Sequence, residues 1–356
     1  MTMKQIILTG GGTAGHVMVN LALIPLLQKE GYMIDYIGSI DGIEKELITP
    51  IEGVTYHAIS TGKYRRYRSI DNLKDPFKVL NGIRQSVQLI LKLKPSIIFS
   101  KGGFVSVPVL IAAKLTNTPA VIHESDLTPG LANKIAMPFA KRILVTFEKT
   151  LQYVDEKKAR FIGAVVRPEL FEGSKQRACE KLMFDPNQPI MLIMGGSTGS
   201  KHVNTFIRDH LDRLTKKYQV IHLTGKALSD ETVINARYKQ YEYVADDLKD
   251  LLMSADVIVS RAGANAIFEF LALKKPMILI PLSKKVSRGD QLLNAAVFKE
   301  AGFAKVIEED ELKEVQFFKT LAELEQEAPE MIKEMAKRDA KDAIFEVLKA
   351  IHTYEK

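Results

Sequence analysis

Apolar residues in this chain are concentrated in short unbroken runs with helical stretches between them. In the first half the runs are Ile6-Ile7-Leu8, Ile34-Asp35-Tyr36-Ile37, Ile97-Ile98-Phe99, Ala120-Val121-Ile122 and Ile143-Leu144-Val145. In the second half they are Ile190-Met191-Leu192-Ile193-Met194, Val220-Ile221-His222-Leu223, Val257-Ile258-Val259 and Met277-Ile278-Leu279-Ile280. A strand that faces water on one side alternates apolar and polar residues, whereas a strand covered on both sides does not. The runs therefore predict parallel sheets sandwiched between helices, the α/β class. One helix is expected over 17–30, stopped by Gly31 and kinked or capped at Pro25.

The pattern occurs twice. Leu8-Thr9-Gly10-Gly11-Gly12 and Ile193-Met194-Gly195-Gly196-Ser197 each lead from an apolar strand into glycines and then a helix. This predicts two doubly wound domains, 1–162 and 163–334, with a last helix at about 335–356 packing back onto the first. A length of 356 residues is comfortable for two cores.

Charge separates the halves. Residues 1–162 carry 21 Lys+Arg against 13 Asp+Glu, and the remaining 194 carry 29 against 30, so the net charge of +7 comes from the first half. An anionic partner for that half would account for this, as would a solvated basic surface. The one cysteine, Cys179, excludes a disulfide framework and a thiolate cluster. No signal peptide and no bilayer-crossing run are expected, which points to a cytosolic protein or one on the cytosolic side of a membrane.

Three glycine clusters follow strands: Gly10-Gly11-Gly12-Thr13-Ala14-Gly15, Gly102-Gly103-Phe104, and Gly195-Gly196-Ser197-Thr198-Gly199. Glycine lets backbone approach a phosphate, and the helix that follows adds its dipole and unpaired N–H groups. The first cluster satisfies G-x-G-x-x-G, but the second strand ends without the acidic residue that would hold a dinucleotide's ribose. His16 and Val17 stand where a P-loop needs Lys and Ser/Thr. NAD and ATP chemistry are therefore disfavoured. With no Asp-x-Asp triplet and no ligand-spaced His/Cys/carboxylate cluster, neither a protein-bound metal nor another cofactor is expected.

The motifs GGTAGH at 11–16, GGFVSVP at 102–108, HESDLTPGLANK at 123–134, GAVVR at 163–167, GGSTGS at 195–200, RAGANAIFE at 261–269 and DQLLNA at 290–295 resemble, in order and spacing, those of the MurG family. These are UDP-N-acetylglucosamine:lipid I N-acetylglucosaminyltransferases. Ala14, Val19, Ser125-Asp126 and Asp290 depart from the family's usual residues. The resemblance implies a GT-B architecture, two Rossmann-like domains facing across a cleft. It also implies inverting transfer of N-acetylglucosamine from UDP-GlcNAc to the C4 hydroxyl of lipid I, forming lipid II. Its donor residues would be Thr13, Gly15, Asp126, Arg167, Gly196, Ser197, Val244, Ala264, Glu269, Asp290 and Gln291. Gly102, Gly103 and Ser106 would form an acceptor phosphate loop.

Chemistry suggests the roles. Arg167 would offer a permanent cation to the diphosphate, and Glu269 would accept both ribose hydroxyls. The attacking hydroxyl needs a base: His16 is the first candidate, Glu124 the alternative and Asp126 the third. Lys63-Tyr64-Arg65-Arg66-Tyr67-Arg68 and the helix containing Phe77 and Leu80 suit an anionic inner-leaflet surface, although Leu80, Ile83, Val87 and Leu91 would equally serve as an ordinary buried stripe. The implied place is the cytoplasmic face of the plasma membrane, held peripherally. Implied partners are UDP-GlcNAc, lipid I, phospholipid and other cell-wall synthesis and division proteins, and no nucleic acid. Rival readings are another GT-B glycolipid synthase, a UDP-sugar epimerase, and a non-catalytic nucleotide-sugar-binding protein.

Overall fold

The computed structural model describes residues 4–62, 71–196, 199–244, 247–285, 287–338 and 343–356, with 71–74 described as helix only. The chain forms two compact units, Met1–Val165 with Lys341–Lys356, and Val166–Ala340. The first unit thus runs to Val165, where the sequence pattern suggested 162. Helix boundaries at the far end are Ala336 and Ala343.

The first unit alternates strands and helices: β1 (Gln5–Thr9), α1 (Gly15–Lys29), β2 (Met33–Ser39), α2 (Ile43–Ile48), β3 (Val54–Ile59), α3 (Asp71–Leu93), β4 (Ile97–Ser100), α4 (Ser106–Leu115), β5 (Ala120–Glu124), α5 (Leu131–Ala136), β6 (Arg142–Val145) and β7 (Ala159–Phe161). Its sheet is parallel in the order β3-β2-β1-β4-β5-β6-β7. Ile6 and Leu8 pack on one face with Leu23, Ile24 and Leu27 of α1. Ile7 packs on the other with Val109 and Leu110 of α4. Both faces are buried, which is why the strand carries no polar alternation. Each such Ile or Leu contributes about 1.5–3 kcal/mol on burial.

The second unit repeats the plan: α6 (Lys175–Leu182), β8 (Ile190–Met194), α7 (Lys201–Asp209), α8 (Leu211–Leu214), β9 (Gln219–Leu223), β10 (Tyr238–Tyr241), α9 (Leu248–Ser254), β11 (Val257–Ser260), α10 (Ala264–Ala272), β12 (Met277–Leu279), α11 (Asp290–Glu300), β13 (Lys305–Val306) and α12 (Glu314–Ala336). Its parallel order is β10-β9-β8-β11-β12-β13. A final helix, α13 (Ala343–Tyr354), returns to the first unit, where Val347, Leu348 and Ile351 join the core beneath α1. Glu355 accepts from Tyr32 at 2.6 Å and pairs with Lys4 at 2.5 Å, which anchors the end of the chain.

β3, β7, β10 and β13 are short or half-exposed, and the apolar runs did not reveal them. Each lies at or near a sheet edge, where less of the strand needs burial. Gly31 adopts φ +82° behind α1, and Pro25 lies exposed within that helix.

The buried positions of α3 include Gly82, Ser86 and Ile90. Ile83 and Val87 are half-buried, and Leu80 and Leu91 are exposed. The stripe 80–83–87–91 is therefore not the helix's packed face. Among the described residues, no helix is long and apolar enough to cross a membrane.

Candidate functional site

In each sheet the strand order reverses beside the first strand, between β1 and β4 in one unit and between β8 and β11 in the other. Loops leaving such neighbouring strands diverge to opposite faces and open a crevice at the carboxyl edge. All three glycine clusters lie on these loops.

In the first unit the two loops are locked together. Gly11 donates its N–H to Gly102 O at 3.2 Å. A Cβ on Gly103 (φ +85°) would sit 2.1 Å from Gly11 O, so glycine is required there by both conformation and space. Tyr36 donates to Gly10 O at 2.6 Å from below. Glu44, on α2 and fully buried, accepts from Gly12 N and Ser39 N at 3.0 Å each and from Ser39 Oγ. β2 ends without an acidic residue, as the sequence showed, and Glu44, five residues beyond it, is turned onto the glycine loop. Asp35 is occupied elsewhere, with Gln5 Nε2 and His57 Nε2 each at 2.6 Å.

His16 stands in the first turn of α1. Its Nδ1 lies 3.1 Å from both Gly11 O and Thr13 Oγ1. A carbonyl can only accept, so Nδ1 carries the proton and the lone pair of the neutral ring is on Nε2. Gly15 opens the same helix. Ser106, expected on the acceptor phosphate loop, is fully buried and donates its hydroxyl to Gly102 O at 2.9 Å, which closes the second loop.

Glu124, at the end of β5, is also buried. Its Oε1 accepts from Asp126 N at 2.9 Å, and its Oε2 accepts from Gly130 N at 3.1 Å and Asn133 Nδ2 at 2.9 Å. Both oxygens are engaged in shaping the 125–130 loop, which argues against Glu124 as the base. Lys101, at the root of the second glycine loop, is buried and donates to Ser125 Oγ at 2.7 Å. Burial lowers its pKa, while Glu124 and Asp126 oppose that. Burial, with the Lys101 charge, pushes the His123 imidazole well below its ordinary value, so it stays neutral.

In the second unit, Arg167 donates from Nε to Glu269 Oε1 at 2.9 Å and from Nη2 to Glu269 Oε2 at 3.2 Å. Burial would lower the Arg167 pKa, but the carboxylate beside it more than compensates and holds the guanidinium charged. Burial pushes the Glu269 carboxyl up, and Arg167 pulls it back. Ala264 begins α10 behind Gly263, five residues before Glu269 on the same helix. Val244 follows β10, half-buried. Gly196 is left-handed at φ +85° with open space where a Cβ would be, and Gly199 N–H closes the loop onto Gly196 O at 3.0 Å. Ser197 lies outside the described residues, as do Arg65, Arg66 and Arg68.

Asp290 and Gln291 open α11. Asp290 pairs with Arg288 at 3.2 Å, and Gln291 Oε1 accepts from Leu282 N at 3.0 Å, which directs its amide donors elsewhere. Arg261, after β11, ties the loops together: its guanidinium donates to Ser200 Oγ at 2.7 Å, to Ile280 O at 3.0 Å and to Glu309. Phe77 and Leu80 on α3 are 74% and 62% exposed. Among the described residues no group of three His, Cys, Asp or Glu side chains could hold a metal ion.

Glu44, Lys101, Asn133 and Arg261 had no assigned role in the sequence. Arg261 and Lys101 each directly follow a strand at the reversal point, which is the one local signal they give.

Thr13, Gly15 and Asp126 lie in the first unit, and Arg167, Gly196, Val244, Ala264, Glu269, Asp290 and Gln291 in the second. Residues 6–145 match the glycosyltransferase family 28 N-terminal domain, and 190–351 match the glycosyltransferase family 28 C-terminal domain. A protein of Oceanobacillus iheyensis named UDP-N-acetylglucosamine–N-acetylmuramyl-(pentapeptide) pyrophosphoryl-undecaprenol N-acetylglucosamine transferase is 53% identical over 98% of both chains. One of the same name from Clostridium botulinum is 49% identical over 99% of this chain and 100% of its own. The crystal structure of Acinetobacter baumannii MurG superposes with a TM-score of 0.76 at 24% identity, covering 98% of this chain and 99% of that one, and establishes the shared GT-B fold. With both family 28 halves in order and half its residues shared with such relatives from end to end, this chain belongs to the MurG family.

Proposed function

We infer that the chain transfers N-acetylglucosamine from UDP-GlcNAc to the C4 hydroxyl of the MurNAc sugar in undecaprenyl-diphospho-MurNAc-pentapeptide, lipid I, and so makes lipid II. The observation that carries this is the 53% identity, along nearly the whole length, to a relative whose name states that transfer.

The chemistry is a single displacement. The acceptor O4 forms a bond to the anomeric carbon as the bond from that carbon to the β-phosphate oxygen breaks. UDP leaves with the electron pair and the centre inverts. The O4 proton goes to His16 Nε2, a role supported by the tautomer that Gly11 O imposes. Glu124 acts by shaping the loop that carries Asp126. On the donor side Glu269 accepts the ribose hydroxyls, and Val244 and Ala264 frame the uracil through backbone. Gly196, Ser197 and the N-terminus of α7 receive the diphosphate, while Asp290 and Gln291 meet the sugar hydroxyls. Gly102 and Gly103 receive the acceptor's phosphates.

The chain works from the cytoplasmic face of the plasma membrane, held peripherally on anionic phospholipid by Arg65, Arg66, Arg68, Phe77 and Leu80. The exposure of the two apolar side chains supports this. Other cell-wall synthesis and division proteins are its expected company.

The test is incubation with labelled UDP-GlcNAc and a short-chain lipid I analogue. A β-1,4 disaccharide product is expected. Product on diacylglycerol instead, epimerised UDP-sugar, or UDP binding without turnover would each select a different activity.

A further inference from the structure

Arg167 was expected to lend its charge to the donor's diphosphate, yet two of its five N–H donors, Nε and one on Nη2, are given to Glu269. Two near-parallel hydrogen bonds, 2.9 Å from Nε and 3.2 Å from Nη2, join side chains that are only 15% and 12% exposed. Such a fork fixes both the position and the plane of a carboxylate. It uses one lone pair on each oxygen and leaves a second on each.

We propose that Arg167 is a positioning residue for ribose recognition: it holds the Glu269 carboxylate ionised and oriented so that its remaining lone pairs accept the donor's vicinal 2′ and 3′ hydroxyls. This rests on the reading of Glu269 as the ribose acceptor.

Two physical arguments carry it. A carboxyl as buried as Glu269 tends to the neutral acid, which would turn one oxygen into a donor and mismatch two hydroxyl donors. The Arg167 charge and its two hydrogen bonds oppose that tendency. A guanidinium that swung away to the diphosphate would also leave this carboxylate charged, buried and unpaired, which is strongly unfavourable. The diphosphate has another receptor in the open backbone at Gly196 and the N-terminus of α7.

The experiment is calorimetric titration of the full chain with UDP, 2′,3′-dideoxy-UDP and uridine, on wild type, Glu269→Ala, Arg167→Ala, Arg167→Lys and the double Ala variant. Wild type should prefer UDP over the dideoxy compound by about tenfold or more. Arg167→Ala should collapse that preference as far as Glu269→Ala does, with no further loss in the double variant. Its preference for UDP over uridine should stay within about threefold of wild type, less than one charged hydrogen bond. Arg167→Lys, which keeps a charge but not the fork, should fall between and serves if the Ala variant folds poorly. If Arg167→Ala keeps the ribose preference and loses the preference for UDP over uridine, Arg167 reads the diphosphate and the inference is overturned. If Glu269→Ala itself keeps the ribose preference, the ribose site is wrongly assigned and the inference falls with it.

Discussion

Glu44 accepts the amide proton of Gly12 at 3.0 Å, so a side chain from α2 occupies a backbone donor that a phosphate-binding loop would present to its ligand. The same carboxylate holds Ser39 N and Oγ, and a Cβ on Gly11 would lie 2.3 Å from Glu44 Cδ. The first glycine loop is thus built around a buried protein anion. It also fixes His16, whose Nδ1 lies 3.1 Å from Gly11 O.

Glu44→Ala should therefore cost about 2–4 kcal/mol in unfolding free energy, since several buried donors lose their acceptor. Turnover should fall more than UDP affinity if His16 on this loop is the base, as proposed. Denaturant titration and steady-state kinetics check both, and a stable, fully active variant would contradict this account of the loop.

His16→Ala should lower kcat by about 10²- to 10⁴-fold while leaving UDP affinity near wild type. Glu124→Gln should show a different pattern: stability lowered by about 1–3 kcal/mol, since an amide loses acceptor capacity for the three donors now held. A Glu124→Gln enzyme that is as stable as wild type but inactive would return Glu124 to the role of base.

UDP binding should weaken on acidification. Burial pushes the Glu269 carboxyl up, with Arg167 opposing, and Glu169 adding to the rise. If Glu269 accepts both ribose hydroxyls, as proposed, it must be ionised, so affinity is complete above the folded pKa and lost as pH falls through it. Onset should come at higher pH than for an ordinary glutamate. In Arg167→Lys it should move higher still, because a mobile ammonium stabilises the carboxylate less. UDP titrations from neutrality into the acid range measure this.

Lys275 donates to Met253 O and Ala255 O, and burial pushes its pKa down to about 8, with Asp256 opposing and Lys175 adding to the fall. Between that value and the ordinary 10.5 the unfolded chain binds more protons than the folded one. Stability should therefore rise with pH across this window, by on the order of 3 kcal/mol from this group. In Lys275→Met that component should vanish from the pH dependence of the unfolding free energy. An unchanged slope would show that the ammonium is better solvated than its surroundings indicate.

Reversal of Arg65, Arg66 and Arg68 to Glu should weaken partitioning to anionic vesicles by on the order of 100-fold or more. Phe77→Ser with Leu80→Ser should weaken it on anionic and zwitterionic vesicles alike, because that loss is apolar. Vesicle sedimentation distinguishes the two. Unaltered partitioning in both would make this an ordinary surface.

Much of the fold was legible in the chain because its signals are local. Unbroken runs such as Ile190-Met191-Leu192-Ile193 must be covered on both faces, and glycines after strands mark close backbone approaches. Both are properties of a few consecutive residues. Edge strands such as β10 escaped because partial burial leaves no such run.

The site was legible only in part. Sequence order and residue type bring Gly11, Gly103, His16, Arg167 and Glu269 to attention and suggest what each could do. They do not say that Glu44 fills the first loop, that Lys101 is buried beneath the second, that Glu124's oxygens are both taken, or that Arg167 and Glu269 hold each other from 102 residues apart. Those relationships depend on which strands become neighbours and where the strand order reverses. A side chain's partner is whatever the sheet brings within 3 Å of it, so the chain alone determined the available chemistry and only the tertiary structure decided which groups are already engaged.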